Sequence, residues 1–540
     1  MKPQTQNLRK QQIICGPLHR SLCRSSMGAL KYIVLALFLL VVIQSSISHT
    51  RAQKAGDATQ VVPKTWDDLA MATLEVPLAN PIGSPKHVSA AYYYRIPVRP
   101  IYKSYPVYAP GHEPRGYVEW LKQQEPEIIW DDSSHRPQLK TETDWIKAGE
   151  TVFDAPTIYG GLAGSEPTDL FVRDPQFMLD TGTPTAPDGS LPFFRYVVEK
   201  KGEVRIGALA CGMCHTRIMP DGTILKGAQG SLPFDRVFAY DYTRSHSKTE
   251  DAWALERSLY AAPWVRPDGL PGTDGMSVKD IAEVHRAIPP GVLARHRSSP
   301  FSPVQVPDLI GVKDRQYLDR TGLQQQHSIV DLMRYAALNQ GGDDLATFDG
   351  FIPADFQNFN KLPGVETQER YSDEQLYALA QYIYSLQPPP NPNKFDALAQ
   401  QGQKVFQNEN CGMCHRPPLY TNNKLTPANG FTIPKDHFDK YDIFPRSVGT
   451  DADLTLKTRR GTGYYKVPSL KGVWYRNMFG HNGWCATLED WFEPRRTQDD
   501  YIPTGFKPFG AKSFAVKGHP YGLKLSEEDR KALIAFLKTL

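Results

Sequence analysis

Two distant stretches of the 540-residue chain carry apolar residues at helical spacing and read as copies of one another. Ser372 to Leu386 (SDEQLYALAQYIYSL) and Ser526 to Leu540 (SEEDRKALIAFLKTL) each open on serine, continue with acidic residues and then present an apolar stripe. In the first the stripe is Leu376, Leu379, Ile383 and Leu386; in the second it is Arg530, Leu533, Leu537 and Leu540. Only the first position departs. A serine there can cap the free N–H groups of a helix start, and the stripe marks one buried face. Both stretches predict amphipathic helices.

The echo extends upstream. Gly149-Glu-Thr-Val-Phe153 matches Gly402-Gln-Lys-Val-Phe406, and Val306-Pro-Asp-Leu-Ile-Gly-Val312 matches Val467-Pro-Ser-Leu-Lys-Gly-Val473. Arg315 stands against Arg476, and Gly322 against Gly483. An internal repeat of this kind predicts two similar units. Gln387-Pro-Pro-Pro-Asn-Pro-Asn393 between them cannot continue a helix and reads as a stiff spacer. The expected units are 145–386 and 394–540, preceded by a Tyr- and Pro-rich extension over 51–144 whose weak periodicity suggests short strands and loops. The fold class expected is mainly α. The units differ in one respect. Cys411 follows Phe406 by five positions, whereas the first unit has a long Pro- and Gly-dense insertion between Phe153 and Cys211, fit to wall or cover one edge of a site.

Inside each unit lies the same pentapeptide, Cys211-Gly-Met-Cys-His215 and Cys411-Gly-Met-Cys-His415. Two thiols with two residues between them can each form a thioether to a haem vinyl group, and the adjacent histidine can then ligate the iron. A structural zinc site would need Cys pairs some 15–20 residues apart, and a thioredoxin-like pair needs no histidine there. Two covalently bound haem c groups are the expected cofactors. The order of opening helix, haem motif, Val-Pro loop and closing helix resembles that of a cytochrome c domain.

Charge and the N-terminus bear on compartment. Eight Lys or Arg and no Asp or Glu occupy residues 1–56, and an apolar run, Tyr32 to Ile43, is followed by small polar residues. Twelve apolar residues suit a signal sequence better than a membrane span. Residues 1–50 are therefore read as a cleaved signal peptide or, if the run extends over 32–47, an uncleaved anchor. Either places the remainder in the periplasm or outside the cell. Beyond residue 56 the chain has 54 basic and 58 acidic residues, so the overall +4 reflects the leader, and nothing points to nucleic acid. Of seven Cys, four belong to the haem motifs, Cys15 and Cys23 lie in the leader, and Cys485 reads as a small buried side chain.

The second axial position of each iron decides function, because a strong protein ligand favours electron transfer and an open position admits oxygen or peroxide. His519 stands seven residues before the closing helix of the second unit, where a cytochrome c presents its distal ligand. The corresponding residues of the first unit are Gly364-Val365, and Arg320 stands where the second unit has His481. His519 is the expected distal ligand beside His415, with His481 the alternative. Met478 is a weaker candidate. His285, His296 and His327 could enter the first site but have no support from the repeat.

These motifs, with the segment KVPSLKGVWYRNMFGHNGWCATLEDWF at 466–492, resemble the bacterial dihaem cytochrome c peroxidase and MauG superfamily over about residues 145–540. The long N-terminal portion and the Gly-His before the last helix look more like its rubber oxygenase branch. The resemblance implies His215 and His415 as proximal ligands, a first haem that binds oxygen, and a bis-histidine second haem completed by His519. Two positions depart from the peroxidase pattern: His481-Asn482-Gly483 replaces His-Asp-Gly, and Arg495 stands where that pattern has a ligand methionine. The expected function is an exported dihaem oxidoreductase in which the first haem, through His215, activates peroxide or dioxygen and the second transfers electrons with an electron-donor protein. The alternative is a pure electron carrier with both irons six-coordinate.

Overall fold

Thr141 caps helix α1 (Glu142–Asp154) through reciprocal hydrogen bonds with Asp144, and Ser372 caps α2 (Asp373–Ser385) likewise with Gln375. Asp396 caps α3 (Ala397–Asn408), and Ser526 caps α4 (Glu527–Lys538). The computed structural model describes residues 61–80, 82–83, 85–159, 171–244, 248–265, 272–295, 297–340, 345–353 and 369–540. The expected leader, His296 and the Gly364-Val365 pair lie outside the described residues. Among those described, no helix is long and apolar enough to cross a membrane.

The four capped helices pack as two pairs, α1 on α2 and α3 on α4, and the pairs are built alike. At Gly149 an added Cβ would fall on the Ala378 carbonyl, and at Gly402 it would fall on the Ala532 carbonyl. Glycine is needed at both crossings because the backbones touch. One turn on, Phe153 meets Tyr382 at 5.2 Å between ring centroids, and Phe406 meets Phe536 at 5.3 Å. Leu376, Leu379, Leu533 and Leu537 are buried in the two cores these pairs form, Leu379 beside the first of the cavities described below and Leu533 and Leu537 beside the second. Each buried leucine cut to alanine costs about 2–5 kcal/mol. The Val-Pro loops repeat as well. Arg315 donates to the carbonyls of Asp308 and Ile310, and Arg476 donates to those of Ser469 and Lys471. The spacer between the pairs is tied down, with Asn391 Nδ2 donating to the Lys538 carbonyl at 2.9 Å.

Helix accounts for 34% of the chain, beside one four-stranded sheet and six two-stranded pairs among the described residues. Strands thus contribute more than the expectation of a mainly α chain allows for. The four-stranded sheet runs β1 (Ser104–Tyr108), β3 (Ser190–Lys200), β4 (Glu203–Ala208), β2 (Ile158–Tyr159), all antiparallel. Its longest strand is rich in aromatic and β-branched residues (Phe193, Phe194, Tyr196, Val197, Val198), which suit a pleated surface. That strand comes from the insertion, and its partner β1 comes from the N-terminal extension. Both pack into a core with helices Phe234–Arg244 and Val278–Arg286. Elsewhere the extension buries Trp66 and Tyr93, stacked at 4.3 Å, against the α1–α2 pair. Two short ladders matter for the site: β5 (Val292–Leu293) with β6 (Val304–Gln305), and β7 (Leu425–Pro427) with β8 (Tyr464–Lys466).

Candidate functional site

Each Cys-x-x-Cys-His segment opens onto its own cavity. The first, about 280 Å³, is lined by Cys211, Cys214 and His215; the second, about 230 Å³, by Cys411, Cys414 and His415. In both segments a tight turn brings the histidine N–H onto the carbonyl of the first cysteine, at 3.0 Å for His215 and 2.9 Å for His415. No disulfide joins any described cysteine. Partial burial pushes the Cys214 thiol up to about 12 and the Cys411 thiol up to about 11, opposite to an activated thiolate. A reactive redox pair would instead have a lowered pKa. Among the described residues no three His, Cys, Asp or Glu side chains gather as an independent metal centre.

The second cavity has an imidazole on either side. His415 Nδ1 lies 3.1 Å from the Tyr420 carbonyl, to which it donates, leaving the Nε2 lone pair for a metal. Across from it, His519 sits with its ring centroid 6.3 Å away. Two imidazoles trans on one metal, with metal–nitrogen bonds of about 2 Å, place their centroids roughly 6 Å apart. Burial, then the neighbouring His415 and Arg496, push His519 down to about 3, which keeps it neutral, and its Nδ1 is buried without a hydrogen bond. The donor set and the gap fit a haem ligated from both faces.

His519 is held by a device that the sequence did not flag. Its φ is +44°, a left-handed conformation uncommon for a non-glycine residue and often found at functional sites. Its N–H donates to the Val448 carbonyl at 2.6 Å. Arg496, fully buried, donates to the carbonyls of Trp491, Val516, Gly518 and His519, and its guanidinium lies 4.7 Å over the Trp491 ring. One side chain thus gathers the whole His519 loop. Nothing in Pro494-Arg-Arg-Thr497 signals this locally.

The other candidates fall elsewhere. His481 lines the second cavity, but its Nε2 is 3.1 Å from the Tyr465 hydroxyl and 3.4 Å from Asp451 Oδ2, and its ring stacks on Tyr465 at 4.3 Å. Met478 packs with Trp484 and Cys485 and is not part of the cavity lining. Arg495 is on the surface beside Asp500, at 3.1 Å. His285 is fully buried between Asp235 (2.8 Å) and Glu256 (3.0 Å). Burial alone would lower its pKa, but Glu256 and Asp235 outweigh burial and raise it to about 9. It is an ion-paired core residue. His327 is exposed two residues ahead of the helix Ile329–Gln340, and its N–H donates to Asp331.

The first cavity lacks a second imidazole among the described residues that line it. Burial pushes His215 down to about 4, against the pull of the Pro307 carbonyl. The cavity holds a polar group instead: Asp319, accepting from Arg460 at 2.9 Å, with Tyr335, Asn339, Arg295 and Arg320. Of the long insertion, only Thr157, Leu209 and Ala210 reach this cavity among the described residues. The thiols, the buried neutral histidine and the cations suit a covalently held, acidic cofactor such as haem c.

No family model matches the chain, and no curated protein matches it. Among solved structures, hydrazine synthase from Kuenenia stuttgartiensis is similar at 13% identity and a TM-score of 0.26, covering 54% of this chain and 89% of that one. A MauG-like protein associated with microbial copper homeostasis is similar at 16% identity and a TM-score of 0.28, with the same coverage of 54% and 89%. The site stands on its own geometry.

The wall between the cavities is thin. Val304 and Val306 line the first cavity while Gln305, between them, lines the second. Alternate residues of a strand point to opposite faces, so here one backbone has a cavity on each side. The Gln305 N–H donates to the His481 carbonyl at 2.8 Å, which fixes this register.

Proposed function

We propose that the protein is an exported dihaem c-type oxidoreductase built of two cytochrome c-like units, 145–386 and 394–540. In this reading Cys211 and Cys214 tether one haem with His215 as its ligand. Cys411 and Cys414 tether the other, with His415 and His519 as its ligands. A haem in the first cavity would supply redox chemistry on peroxide or dioxygen, and one in the second would relay electrons from a donor protein.

One contrast carries the reading: the second cavity has an imidazole on each side, whereas the first has one histidine and a polar lining. In the second, the Tyr420 carbonyl orients His415, and Arg496 holds the His519 loop from behind. Apolar side chains such as Val473, Phe479, Leu533 and Leu537 line it. In the first, Asp319 and Arg460, with Tyr335 and Asn339, can bind a small polar oxidant or hold a proton beside it. A wall only one strand thick suits electron passage between the two.

The ferric absorption spectrum and a titration with cyanide and carbon monoxide test this. One high-spin iron that takes the added ligand and one low-spin iron that does not are expected. Two low-spin irons that bind neither ligand in any redox state would leave the pure electron carrier.

A further inference from the structure

One side chain belongs to both cavities. Arg320 lines the first and the second, and also the small gap between them, which Arg315, Lys466 and Arg476 share. Its own guanidinium makes no hydrogen bond in the described structure, and its Nε is buried without a partner. The neighbouring cations are committed. Arg315 and Arg476 hold loop carbonyls, and Lys466 donates to the carbonyls of Tyr317 and Leu318. The nearby carboxylates are committed too. Asp319 is paired with Arg460, and Asp308 accepts from the Tyr475 hydroxyl at 2.8 Å and lies 4.0 Å from Arg476. Burial, then Arg476 and Arg315, push Arg320 down to about 9 against the opposing pull of Asp308, which leaves it charged at neutral pH with no carboxylate among the described residues hydrogen-bonded to it. A partly buried cation whose nearest carboxylate, Asp308, is already bonded to Tyr475 and close to Arg476 is costly unless a ligand brings another negative charge.

Arginine binds carboxylates with a planar fork of donors and can serve more than one at once. Haem carries two propionate carboxylates. We propose that Arg320 is a shared carboxylate anchor, taking an acidic side group of the haem in each cavity and so coupling the two sites electrostatically; this rests on the dihaem reading above. The repeat explains the position. Arg320 occupies the place that His481 holds in the second unit, and His481 is tied to Tyr465 and Asp451 on its own side of the wall.

The consequence concerns reduction potential. A cation beside a haem opposes the extra positive charge of the ferric state, and removing it makes oxidation easier. Spectroelectrochemical titration of the full-length, haem-loaded R320Q protein should therefore show both haems reduced less readily. At least a tenfold change in each equilibrium constant is expected, about 59 mV for one electron. R320K keeps the charge without the fork and should move both in the same direction by less. If R320Q does not accumulate, R320K decides. A comparator is Arg295, which lines only the first cavity and lies over Phe234 and Phe238; R295Q should leave the second haem's potential unchanged. The proposal is overturned if Arg320 substitution moves one potential or none, or if R295Q moves both equally. Denatured haem staining of the unaltered protein separates this from the parent reading, since absence of two covalent haems would remove both.

Discussion

The two halves share a frame and differ in what the frame encloses. Helix pairs crossing at Gly149 and Gly402, aromatic contacts at Phe153 and Phe406, and loop clamps at Arg315 and Arg476 recur almost residue for residue. The cavities do not recur. One is closed by His519 on a loop gathered by Arg496; the other is bordered by Asp319, Arg460, Tyr335 and Arg295. The difference teaches that duplication can preserve the packing that supports a site while the opposite wall is free to change. In the dihaem reading proposed above, whether an iron is sealed or open would depend on a few residues of the wall opposite the Cys-x-x-Cys-His segment.

The comparison breaks most completely at the cysteines. Replacing Cys211 and Cys214 with Ala, or Cys411 and Cys414, should in each case leave half the covalent haem in a denaturing gel stain. Equal staining of both variants and the parent would end the argument for two sites. Next in size, Gly402→Val should destabilise the α3–α4 pair by about 3 kcal/mol or more, because the new side chain meets the Ala532 backbone. Gly149→Val should do the same to α1–α2, measured by thermal or denaturant unfolding. A harmless Gly149→Val would show that the shared frame is not equally tight in the two halves.

The closing ligand sharpens the contrast further. His519→Ala should turn the second haem from low-spin to high-spin or water-ligated and leave the first haem's spectrum unchanged. If both spectra stay as they were, His481 becomes the ligand to test. A smaller, pH-dependent effect should be confined to the first half. His285 there has its pKa raised to about 9 by Glu256 and Asp235 over the opposing effect of burial. Being raised on folding, it stabilises fully below about pH 6.5, and that contribution, on the order of 3 kcal/mol, fades as pH climbs through 9. Unfolding midpoints measured from pH 6 to 10 should fall for the parent and stay flatter for His285→Gln from a lower starting point.

Much of the frame was legible because its signals are local. Ser372 and Ser526 ahead of apolar stripes, and the paired Gly-x-x-x-Phe segments, need only neighbouring residues to declare a capped, amphipathic helix. The Cys-x-x-Cys-His segments were equally plain, and His519 stood out by the repeat. What stayed hidden depends on distance along the chain. Arg496 acts on carbonyls as far off as His519, and β3 finds its partner β1 in the N-terminal extension, so neither leaves a periodic trace. Arg320 was visible as the counterpart of His481, but its shared position appears only when both cavities are seen together.

The strand between the cavities has a genetic consequence. Because Val304 and Val306 serve one site and Gln305 the other, a slip of one residue would exchange their allegiances and turn an apolar wall polar on the side facing Cys211. Point substitutions in this segment can act on one compartment at a time. Insertions and deletions cannot, since they rewrite both compartments in a single event. Length here should be held more strictly by selection than the identity of any one residue.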